Sequence, residues 1–462
     1  MNILSIILLL TGWVIPQPQS VESSDKVFDK SHLENIVYRE VKGMPEEAYE
    51  LQIRNRRIII RSSSPAGRFY AEKTLEQLSA ADVMHCMTIR DEPRFEWRGF
   101  MLDEARHFFG KEKVKQLLDM MARYKLNRFH WHLSDSQGWR IEIKAYPQLC
   151  EIGAVCCYSD RNSPAQFYTQ DDIREIVEYA AARHIEVIPE IDMPGHARAA
   201  VKSIPEIDGK RGTFNPGSEK TYEVLGTVIK ELAELFPGRY IHIGGDEVEN
   251  KDWPSLPEVK ELMTREKLQD IAEVQAYFGR RMADTVSFYG KQMVGWDDML
   301  DSGTPSEGKV LHWWRTGHPE YFKRGLENGF QMVVCPNLPF YLDYIQSEAD
   351  KVGHGSKRKY VNTLQDIYEF KIEDNPLVIG AQCNLWTELV GDGKRIDYMA
   401  FPRLLALAEL AWTRAENMDY KDFLERLYKE YDYMDSIGVY YYDMRNPSAH
   451  PEPAGPVKVK RQ

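Results

Sequence analysis

The feature that most constrains this chain is a repeated order of short apolar run, polar loop and amphipathic helix that starts near Arg98. Eight apolar runs lack strict alternation, which is typical of strands buried on both faces of a parallel sheet. The predicted strands are Gly99–Asp103, Arg128–Leu133, Glu186–Ile191, Tyr240–Ile243, Gln292–Gly295, Val310–Trp313, Gln331–Val334 and Leu377–Ala381.

Helical patterns follow most of these runs, and the connection between the fifth and sixth has none. The predicted helices are Lys111–Lys125, Asp171–His184, Thr221–Phe236, Val274–Tyr289, Pro319–Asn328, Leu364–Phe370 and Tyr398–Trp412. Eight parallel strands alternating with helices predict the α/β class and a (β/α)8 TIM barrel, which we place at residues 95–415.

Two smaller regions flank the predicted barrel. Residues 24–92 predict a small N-terminal α/β accessory domain, with two strands around a polar turn at 54–56 and a helix over Ser64–Leu78. Residues 416–462 predict a C-terminal helical extension that packs on the barrel, with a helix over Phe423–Tyr433.

The first 20 residues resemble a signal peptide. The run from Ile3 to Ile15 is apolar, too short to span a bilayer comfortably, and broken at Pro16 and Pro18, although no Lys or Arg precedes it. We place the cut near Ser20 and expect export to the periplasm, the cell surface or the medium. No later segment predicts a transmembrane span, so we expect a protein that is not integral to the membrane.

The charge balance narrows the choice of partners. The chain carries 59 Lys and Arg against 71 Asp and Glu, a formal net charge of −12. This balance disfavours nucleic acid and anionic membrane surfaces as partners. Six cysteines among 462 residues are too few for a disulfide framework, and buried thiols are the expected state of Cys335 and Cys383.

Polar and aromatic residues collect directly after the predicted strands. In a TIM barrel the carboxyl ends of the strands face one mouth, where active sites are built. The candidates are Asp103, Arg106, His107, His132, Asp135, Glu190, Asp192, His196, Asp246, Glu247, Trp296, Asp297, Asp298, Trp314, Arg315, Asn337, Tyr341, Asp343, Asn384, Trp386 and Glu388. A set this rich at every strand end predicts an active site.

The most specific signal is the pair Asp246 and Glu247 after two glycines. Glycines before a carboxylate pair indicate a tight turn. A glycosidase needs one carboxyl that is protonated near neutral pH and a second negative group against an oxocarbenium-like transition state. We expect the neighbouring carboxylate and aromatic walls to raise the pKa of Glu247. By themselves the residues also fit a turn with a helix cap.

The motif His130-Trp131-His132 keeps a second possibility open. His-x-His at the end of a barrel strand can bind a catalytic metal. Further candidate ligands are His196, His242 and His312. A buried, hydrogen-bonded histidine pair explains the same spacing, because alternate residues of a strand share a face.

Four tryptophans lie at or beside predicted strand ends: Trp296, Trp313, Trp314 and Trp386. Tryptophans of a large core would show no preference for strand ends. We therefore expect these rings to wall a small cleft.

Taken in order, the motifs resemble glycoside hydrolase family 20, the β-N-acetylhexosaminidases. They are Arg98–His107, Phe129–Asp135, Pro189–His196, His242–Glu247, Gly295-Trp296, Trp314-Arg315, Tyr341–Asp343 and Leu385–Glu388, with Ala66–Tyr70 resembling the family's accessory domain. One such motif would be weak, whereas the ordered series is specific. One departure is Ser136, where family members often have a second acidic residue after the equivalent of Asp135.

The resemblance implies substrate-assisted catalysis with retention, an exception to the scheme with two protein carboxylates. Glu247 would be the general acid and base. The 2-acetamido oxygen of the substrate would attack the anomeric carbon to form an oxazolinium ion, which Asp246 would orient and stabilise. The implied substrate is a glycan with a terminal β-linked N-acetylglucosamine or N-acetylgalactosamine, and neither a metal nor a cofactor is required.

The resemblance also implies roles for residues around the sugar. Arg106 would bind the 3- and 4-hydroxyls, Glu388 the 4- and 6-hydroxyls, and Asp343 the 6-hydroxyl. Tyr341 would bond the acetamido oxygen, and Asp135 and His196 would support Glu247. The remaining implied contacts are aromatic walls formed by Trp296, Trp314 and Trp386.

Three alternatives stay open at this point: a metal-dependent barrel hydrolase, a carbohydrate-binding protein without catalysis, and a retaining glycosidase with a carboxylate nucleophile. The intact pair of Asp246 and Glu247 disfavours the binding protein, since loss of the acid is expected there. Preference for glucosamine or galactosamine, the linkage and the oligomeric state do not follow from the sequence.

Overall fold

The computed structural model of the chain describes residues 14–357 and 360–456. In this part of the chain an N-terminal five-stranded sheet precedes a closed barrel of eight parallel strands. The predicted fold class, a (β/α)8 barrel with a small α/β accessory domain, is confirmed.

All eight predicted barrel strands are present. They are β6 (Trp97–Asp103), β7 (Arg128–His132), β8 (Glu186–Glu190), β9 (Tyr240–His242), β10 (Gln292–Trp296), β11 (Val310–Trp313), β12 (Gln331–Val334) and β13 (Val378–Leu385). The barrel closes where β13 pairs with β6, with Leu385 opposite Leu102. Every residue of these two strands is buried, which explains why their sequences lack alternation.

Helices cover the outside of the barrel. Those of the barrel region are Lys111–Arg123, Gln148–Glu151, Gln170–Ala181, Arg198–Ser203, Glu219–Leu235, Pro257–Glu266, Ile271–Phe288, Pro319–Glu327, Asn337–Phe340, Leu364–Tyr368, Gly393–Ala400 and Arg403–Trp412. As predicted, β10 and β11 are joined without a regular α-helix, by the short 3-10 segment Asp297–Ser302.

The single helix predicted over Tyr398–Trp412 is wrong. Two helices meet there, one ending at Ala400 and one starting at Arg403. Pro402 lies between them, and proline lacks the backbone N–H of a helix interior and disfavours helical geometry in the residue before it.

The accessory domain has the strand order β1-β5-β3-β4-β2. Its strands are β1 (Ser20–Val27), β2 (Ile36–Glu40), β3 (Tyr49–Arg54), β4 (Arg57–Ser62) and β5 (His85–Asp91), with a helix over Pro65–Ala80. The predicted pairing of β3 with β4 is confirmed as an antiparallel pair. Strand β1 was not predicted, because its sequence SVESSDKV is polar and largely exposed.

Buried ion pairs join the accessory domain to the barrel. The Lys125 Nζ atom lies 2.9 Å from both the Asp91 carboxylate and the Tyr49 hydroxyl. Lys125 and Asp91 are fully buried side chains. The Trp412 indole N–H donates to the same Asp91 carboxylate at 3.0 Å. Because a buried charge is stable only when it is paired, these contacts fix the accessory domain against the barrel.

Residues 14–19 pack in the same interface between the accessory domain and the barrel. Val14 and Ile15 are buried, and the Gln77 amide bonds both the N–H and the carbonyl of Ile15 at 2.8 Å. The Arg426 guanidinium donates to the Val14 carbonyl at 2.9 Å. Of the predicted signal peptide, residues 1–13 lie outside the described residues. A cut near Ser20 would remove this packed segment.

The helix Tyr420–Ser436 packs its apolar side on the barrel helices. Phe423, Leu427, Tyr431 and Met434 are buried in the same core as the barrel. The helices of residues 14–357 and 360–456 include none that is both long and apolar enough to cross a bilayer.

A chain that starts at Ser20 should be markedly less stable than one that starts at Val14. The truncation exposes the surface that Val14 and Ile15 cover, and it leaves the Gln77 amide and the Arg426 guanidinium each short of a partner. We expect a loss of about 3–6 kcal/mol in the free energy of unfolding, measured by urea denaturation. Equal stability of the two chains would contradict the packing of this segment.

Candidate active site

The carboxyl ends of the barrel strands bring the predicted site residues to one mouth. The sharpest turn follows β9, at Gly244 and Gly245, which have φ values of +66° and +107°. A β-carbon at Gly244 would collide with the Asp192 carboxylate, and one at Gly245 would lie 2.6 Å from the Met299 side chain. Only glycine therefore fits both the backbone conformation and the space.

This turn directs Asp246 inward and Glu247 outward. Asp246 is 9% exposed, whereas the Glu247 side chain is 62% exposed. Glu247 has φ +49°, in the left-handed region that is unfavourable for a residue with a β-carbon. The two carboxylates thus meet different surroundings although they are adjacent in sequence.

His196 faces both carboxylates. Its Nε2 atom lies 3.6 Å from Asp246 Oδ2 and 3.7 Å from Glu247 Oε2. Its Nδ1 atom is 3.3 Å from Asp135 Oδ1. Burial disfavours the charged imidazole, yet the Asp135 carboxylate overcomes this effect and raises the pKa of His196 well above its ordinary value. The positive charge of His196 therefore lies between the carboxyl groups of Asp135, Asp246 and Glu247.

The expected rise in the Glu247 pKa is wrong for this structure. The contact with the positively charged His196 lowers the pKa of Glu247, because it stabilises the ionised form. Burial instead raises the pKa of Asp246 to about 7, although His196 opposes the rise. The shift falls on the buried member of the pair, since desolvation penalises a charge more than an adjacent carboxylate does.

Arg106 follows β6 and shares the Asp135 carboxylate with His196. Its guanidinium is 2.7 Å from the Asp135 carboxylate, 3.3 Å from Asp103 and 3.8 Å from Glu388. It also lies over the Trp386 ring, 4.9 Å from the centroid. These contacts hold a planar, always charged donor at the floor of the mouth.

Asp343 follows β12 and is almost fully buried. Burial raises its pKa to about 7, with Glu388 adding to the rise and His354 opposing it. Two acidic groups, Asp343 and Glu388, therefore face the same part of the mouth. Such groups bind hydroxyls well, because a carboxylate accepts several hydrogen bonds.

Aromatic rings wall the remaining sides. Trp296 and Trp386 lie 5.9 Å apart between ring centroids, Tyr341 lies 6.1 Å from Trp386, and Trp314 stacks on Tyr341 at 6.4 Å. The Trp314 indole N–H donates to Asp298 at 3.0 Å. A connected aromatic wall of this kind suits the apolar face of a sugar and a methyl group.

Trp313 is not part of this wall, and its prediction as a cleft residue is wrong. Its ring packs 5.0 Å from Phe322, and its indole N–H donates to the His318 carbonyl at 3.3 Å. Successive residues of a strand point to opposite faces, so Trp313 at the end of β11 faces the outer helices.

Several buried polar atoms around the mouth have no hydrogen-bond partner among the described residues. Buried polar atoms are normally paired, so a group of unpaired ones marks a place for a polar ligand. Among them are Arg106 Nε, Asp246 Oδ1, Asp343 Oδ1 and Glu388 Oε2. One donor and three acidic oxygens fit the hydroxyls and the amide N–H of a neutral sugar.

The histidines of the motif His130-Trp131-His132 lie within β7, in the barrel core. Those that approach each other are His130, His242 and His312. The His130 and His242 rings are stacked, 4.4 Å apart at 28°. Lone pairs lie in the ring planes, so those of stacked rings run side by side and do not converge on one ion. A hydrogen bond with Gln382 and an ion-pair contact with Glu190 account for His130 instead.

The structure thus brings together every residue assigned to the site from the sequence: Asp135, Arg106, His196, Asp246, Glu247, Trp296, Trp314, Tyr341, Asp343, Trp386 and Glu388. Sequence reasoning gave no role to Asp192, whose Oδ1 atom accepts from the Gly245 N–H at 3.4 Å. It also gave none to Asp103, which holds Arg106. Both were among the candidates at the strand ends, but no signal in the sequence indicated these particular contacts.

Two family models match the chain. The model described as glycosyl hydrolase family 20, catalytic domain, matches residues 95–415. The model described as glycosyl hydrolase family 20, domain 2, matches residues 29–92. Together they span the barrel and most of the accessory domain.

Curated relatives carry the name beta-hexosaminidase. One from Porphyromonas gingivalis is 36% identical over 440 residues, which cover 86% of this chain and 55% of the relative. One from Vibrio furnissii is 38% identical over 428 residues, which cover 85% of this chain and 68% of the relative. The chain therefore spans little more than half the length of the Porphyromonas relative.

Among solved structures, the chain is similar to a GH20 exo beta-N-acetylglucosaminidase from Vibrio harveyi in complex with N-acetylglucosamine. The TM-score is 0.85 at 33% identity, over 94% of this chain and 79% of that chain. The likeness thus extends over the accessory domain as well as the barrel.

Gly244→Ala should be more destabilising than Gly290→Ala, a matched control with φ +74° and open space around a β-carbon. The left-handed conformation disfavours alanine at both positions by about 1–2 kcal/mol. Only at position 244 does the β-carbon also meet the Asp192 carboxylate, for a further loss of about 1–3 kcal/mol. Urea denaturation measures both variants, and equal losses would contradict the tight turn described above.

Proposed function

The chain belongs to glycoside hydrolase family 20, as its motifs predicted, and we propose that it is an exo-acting β-N-acetylhexosaminidase. It removes a terminal, non-reducing, β-linked N-acetylglucosamine or N-acetylgalactosamine from a glycan with retention of configuration. The observation that carries this proposal is the buried Asp246 carboxylate, with one oxygen unpaired among the described residues, directly beside the exposed Glu247. The names of its relatives and of its structural neighbour support the same activity.

Glu247 acts first as a general acid. Its exposed side chain lies at the rim of the mouth beside His196, where it can reach the oxygen between the terminal sugar and the rest of the glycan. Transfer of its proton to that oxygen breaks the bond to the anomeric carbon. His196 then stabilises the Glu247 carboxylate that remains, because its positive charge favours the ionised form.

The nucleophile comes from the substrate. The carbonyl oxygen of the 2-acetamido group attacks the anomeric carbon from the opposite face and closes an oxazolinium ring. Asp246 accepts a hydrogen bond from the acetamido N–H, which orients the group. Its carboxylate also faces the positive charge of the ring, so its ionised form is favoured most in the transition state.

Hydrolysis then restores the enzyme. Glu247, now a carboxylate, takes a proton from a water molecule as the water oxygen attacks the anomeric carbon. The oxazolinium ring opens, and the acetamido group is regenerated. Two inversions at the same carbon give net retention.

The remaining residues bind the sugar. Arg106 donates to the 3- and 4-hydroxyls, and Glu388 and Asp343 accept from the 4- and 6-hydroxyls. Tyr341 bonds the acetamido oxygen. The aromatic wall described above covers the acetamide and the apolar face of the ring, and it confines the acetamide to the geometry of attack, which supplies the proximity contribution to catalysis.

We also propose that the protein is exported, on the basis of the apolar run before Pro16. The packing of residues 14–19 favours a cut before Val14 over one near Ser20. Sequencing the N-terminus of the exported protein tests both points, and a first residue at Ser20 or beyond would contradict the earlier cut.

Glu247→Gln should lower kcat on an aryl β-N-acetylglucosaminide with a poor leaving group by about 10²–10⁴-fold, since a general acid contributes this much. On a substrate whose aryl group leaves readily without protonation, Glu247→Gln should lower the rate of the bond-breaking step much less. Steady-state rates on both substrates give the comparison.

Glu249→Gln is the matched control, because Glu249 lies two residues further along the same loop and is exposed. Its kcat should stay within about twofold of the parent chain. A Glu247→Gln chain with near-full activity on the poor leaving group would reject Glu247 as the acid.

A further inference from the structure

We propose that Glu190 and His132 are positioning residues for Glu247, joined to it by an unbroken row of alternating acidic and basic side chains that starts in the barrel core. The row runs from Glu190 through His132, Asp135 and His196 to Glu247. This inference rests on the proposed function, because Glu247 needs a set orientation only if it acts as acid and base.

Glu190 is the buried end of the row. It is the last residue of β8 and is fully buried. Its carboxylate lies 2.6 Å from His132 Nδ1, 2.9 Å from His130 Nε2 and 3.1 Å from His242 Nδ1, and it accepts from the Trp296 indole N–H at 3.0 Å. One carboxylate thus ties four strands of the barrel together.

His132 is the second member and lies between two carboxylates. Its Nδ1 atom contacts Glu190 at 2.6 Å, and its Nε2 atom contacts Asp135 Oδ2 at 3.2 Å. A carboxylate can only accept, so both ring nitrogens must donate and the ring must be an imidazolium. Burial opposes the charge, yet Glu190 and Asp135 raise the pKa of His132 well above its ordinary value.

Asp135 is the third member, and both of its oxygens are occupied. The oxygen that accepts from His132 also contacts the Arg106 guanidinium at 2.7 Å. The other oxygen accepts from His196 Nδ1 and from the Ser136 N–H. Burial disfavours the charge on Asp135, but Arg106 and His196 hold its pKa well below the usual range. A carboxylate bound on both oxygens cannot turn, so it fixes the His196 ring.

His196 passes this constraint to the catalytic pair. Its Nε2 atom has no hydrogen-bond partner among the described residues and lies 3.7 Å from Glu247 Oε2, within reach of an ion pair with the Glu247 carboxylate. Glu247 itself is largely exposed and projects from a strained backbone. The direction of its carboxylate therefore depends on the His196 ring, and through Asp135 on the charge of His132.

Other charged groups face the row. Asp103 and Asp192 face His132, and the His132 charge lowers the pKa of Asp192, whose value burial and Asp246 raise. Removing the charge of His132 takes one cation away from a group of carboxyls. These carboxyls, Asp246 among them, then keep their protons to higher pH.

His130 provides a matched control. Like His132 it is fully buried and contacts Glu190, but it has no contact with Asp135. Its Nδ1 atom lies 3.0 Å from the Gln382 amide nitrogen. Burial and His242 lower the pKa of His130 to about 4, so its ring is neutral. A substitution here disturbs the same core and the same Glu190 carboxylate but removes no charge from the row.

The experiment compares Glu190→Gln, His132→Gln and His130→Gln with the parent chain on an aryl β-N-acetylglucosaminide, with kcat and KM measured across pH. For Glu190→Gln and His132→Gln we expect kcat to fall about tenfold to hundredfold with KM within about twofold. The acidic side of the kcat profile should move up by about one pH unit in His132→Gln, which loses a cation, and down in Glu190→Gln, which loses the anion that raises the pKa of Asp246 and Asp192. His130→Gln should lose thermal stability yet keep the parent's profile.

The outcomes separate this inference from the proposed function. A parent chain that does not cleave the acetamido sugar contradicts the proposed function itself. The parent chain can be active while the pH profiles of Glu190→Gln and His132→Gln match that of His130→Gln. That result would overturn the positioning role of Glu190 and His132 and leave the proposed function standing.

If a variant does not fold, the protonation of His132 in the parent chain still tests the inference. With ¹⁵N-labelled histidine at pH 8, the spectrum should contain two imidazoles that carry protons on both nitrogens, those of His132 and His196. A spectrum with one such ring or none would overturn the inference.

Discussion

The ion-pair contact between Asp135 and His196 is the interaction on which the rest of the site depends. It keeps a positive charge within 4 Å of both Asp246 and Glu247. That charge lowers the pKa of the exposed Glu247, while burial raises the pKa of Asp246 to about 7. The two adjacent carboxyls thereby differ in pKa, with the higher value on Asp246 in the free chain, which is the reverse of the order expected when Glu247 holds the proton.

The barrel supplies the geometry for this contact. Asp135, His196 and the Asp246–Glu247 pair follow three neighbouring strands, β7, β8 and β9, so they meet at one edge although they are far apart in sequence. The glycines after β9 bring the backbone against Asp192, which lets Asp246 turn inward. Below the mouth, the buried charges of Glu190 and His132 continue the same alternation into the core. The packing of the glycine turn and the charges of the row therefore together set the positions of Asp246 and Glu247.

Much of this was predictable from the sequence. Buried parallel strands read as short apolar runs, so all eight were found, and their polar ends marked the mouth. Features set by tertiary contacts were not predictable. The direction of the Glu247 pKa depends on His196, which is distant in sequence, and β1 is held in the accessory sheet by its pairing with β5 rather than by an apolar pattern. The break at Pro402 and the outward face of Trp313 had local signals that were misread.

The most direct test of substrate assistance compares an aryl β-N-acetylglucosaminide with the aryl β-glucoside of the same leaving group, for the parent chain and for Asp246→Asn. If the acetamido oxygen is the nucleophile, the glucoside should react at least about a thousandfold more slowly in the parent chain, because it lacks an attacking group held in place. Asp246→Asn should then reduce the rate on the acetamido sugar and leave the slow glucoside rate little changed. Equal rates on both sugars would mean that the protein supplies the nucleophile, and Asp246 would have to be reassigned to that role.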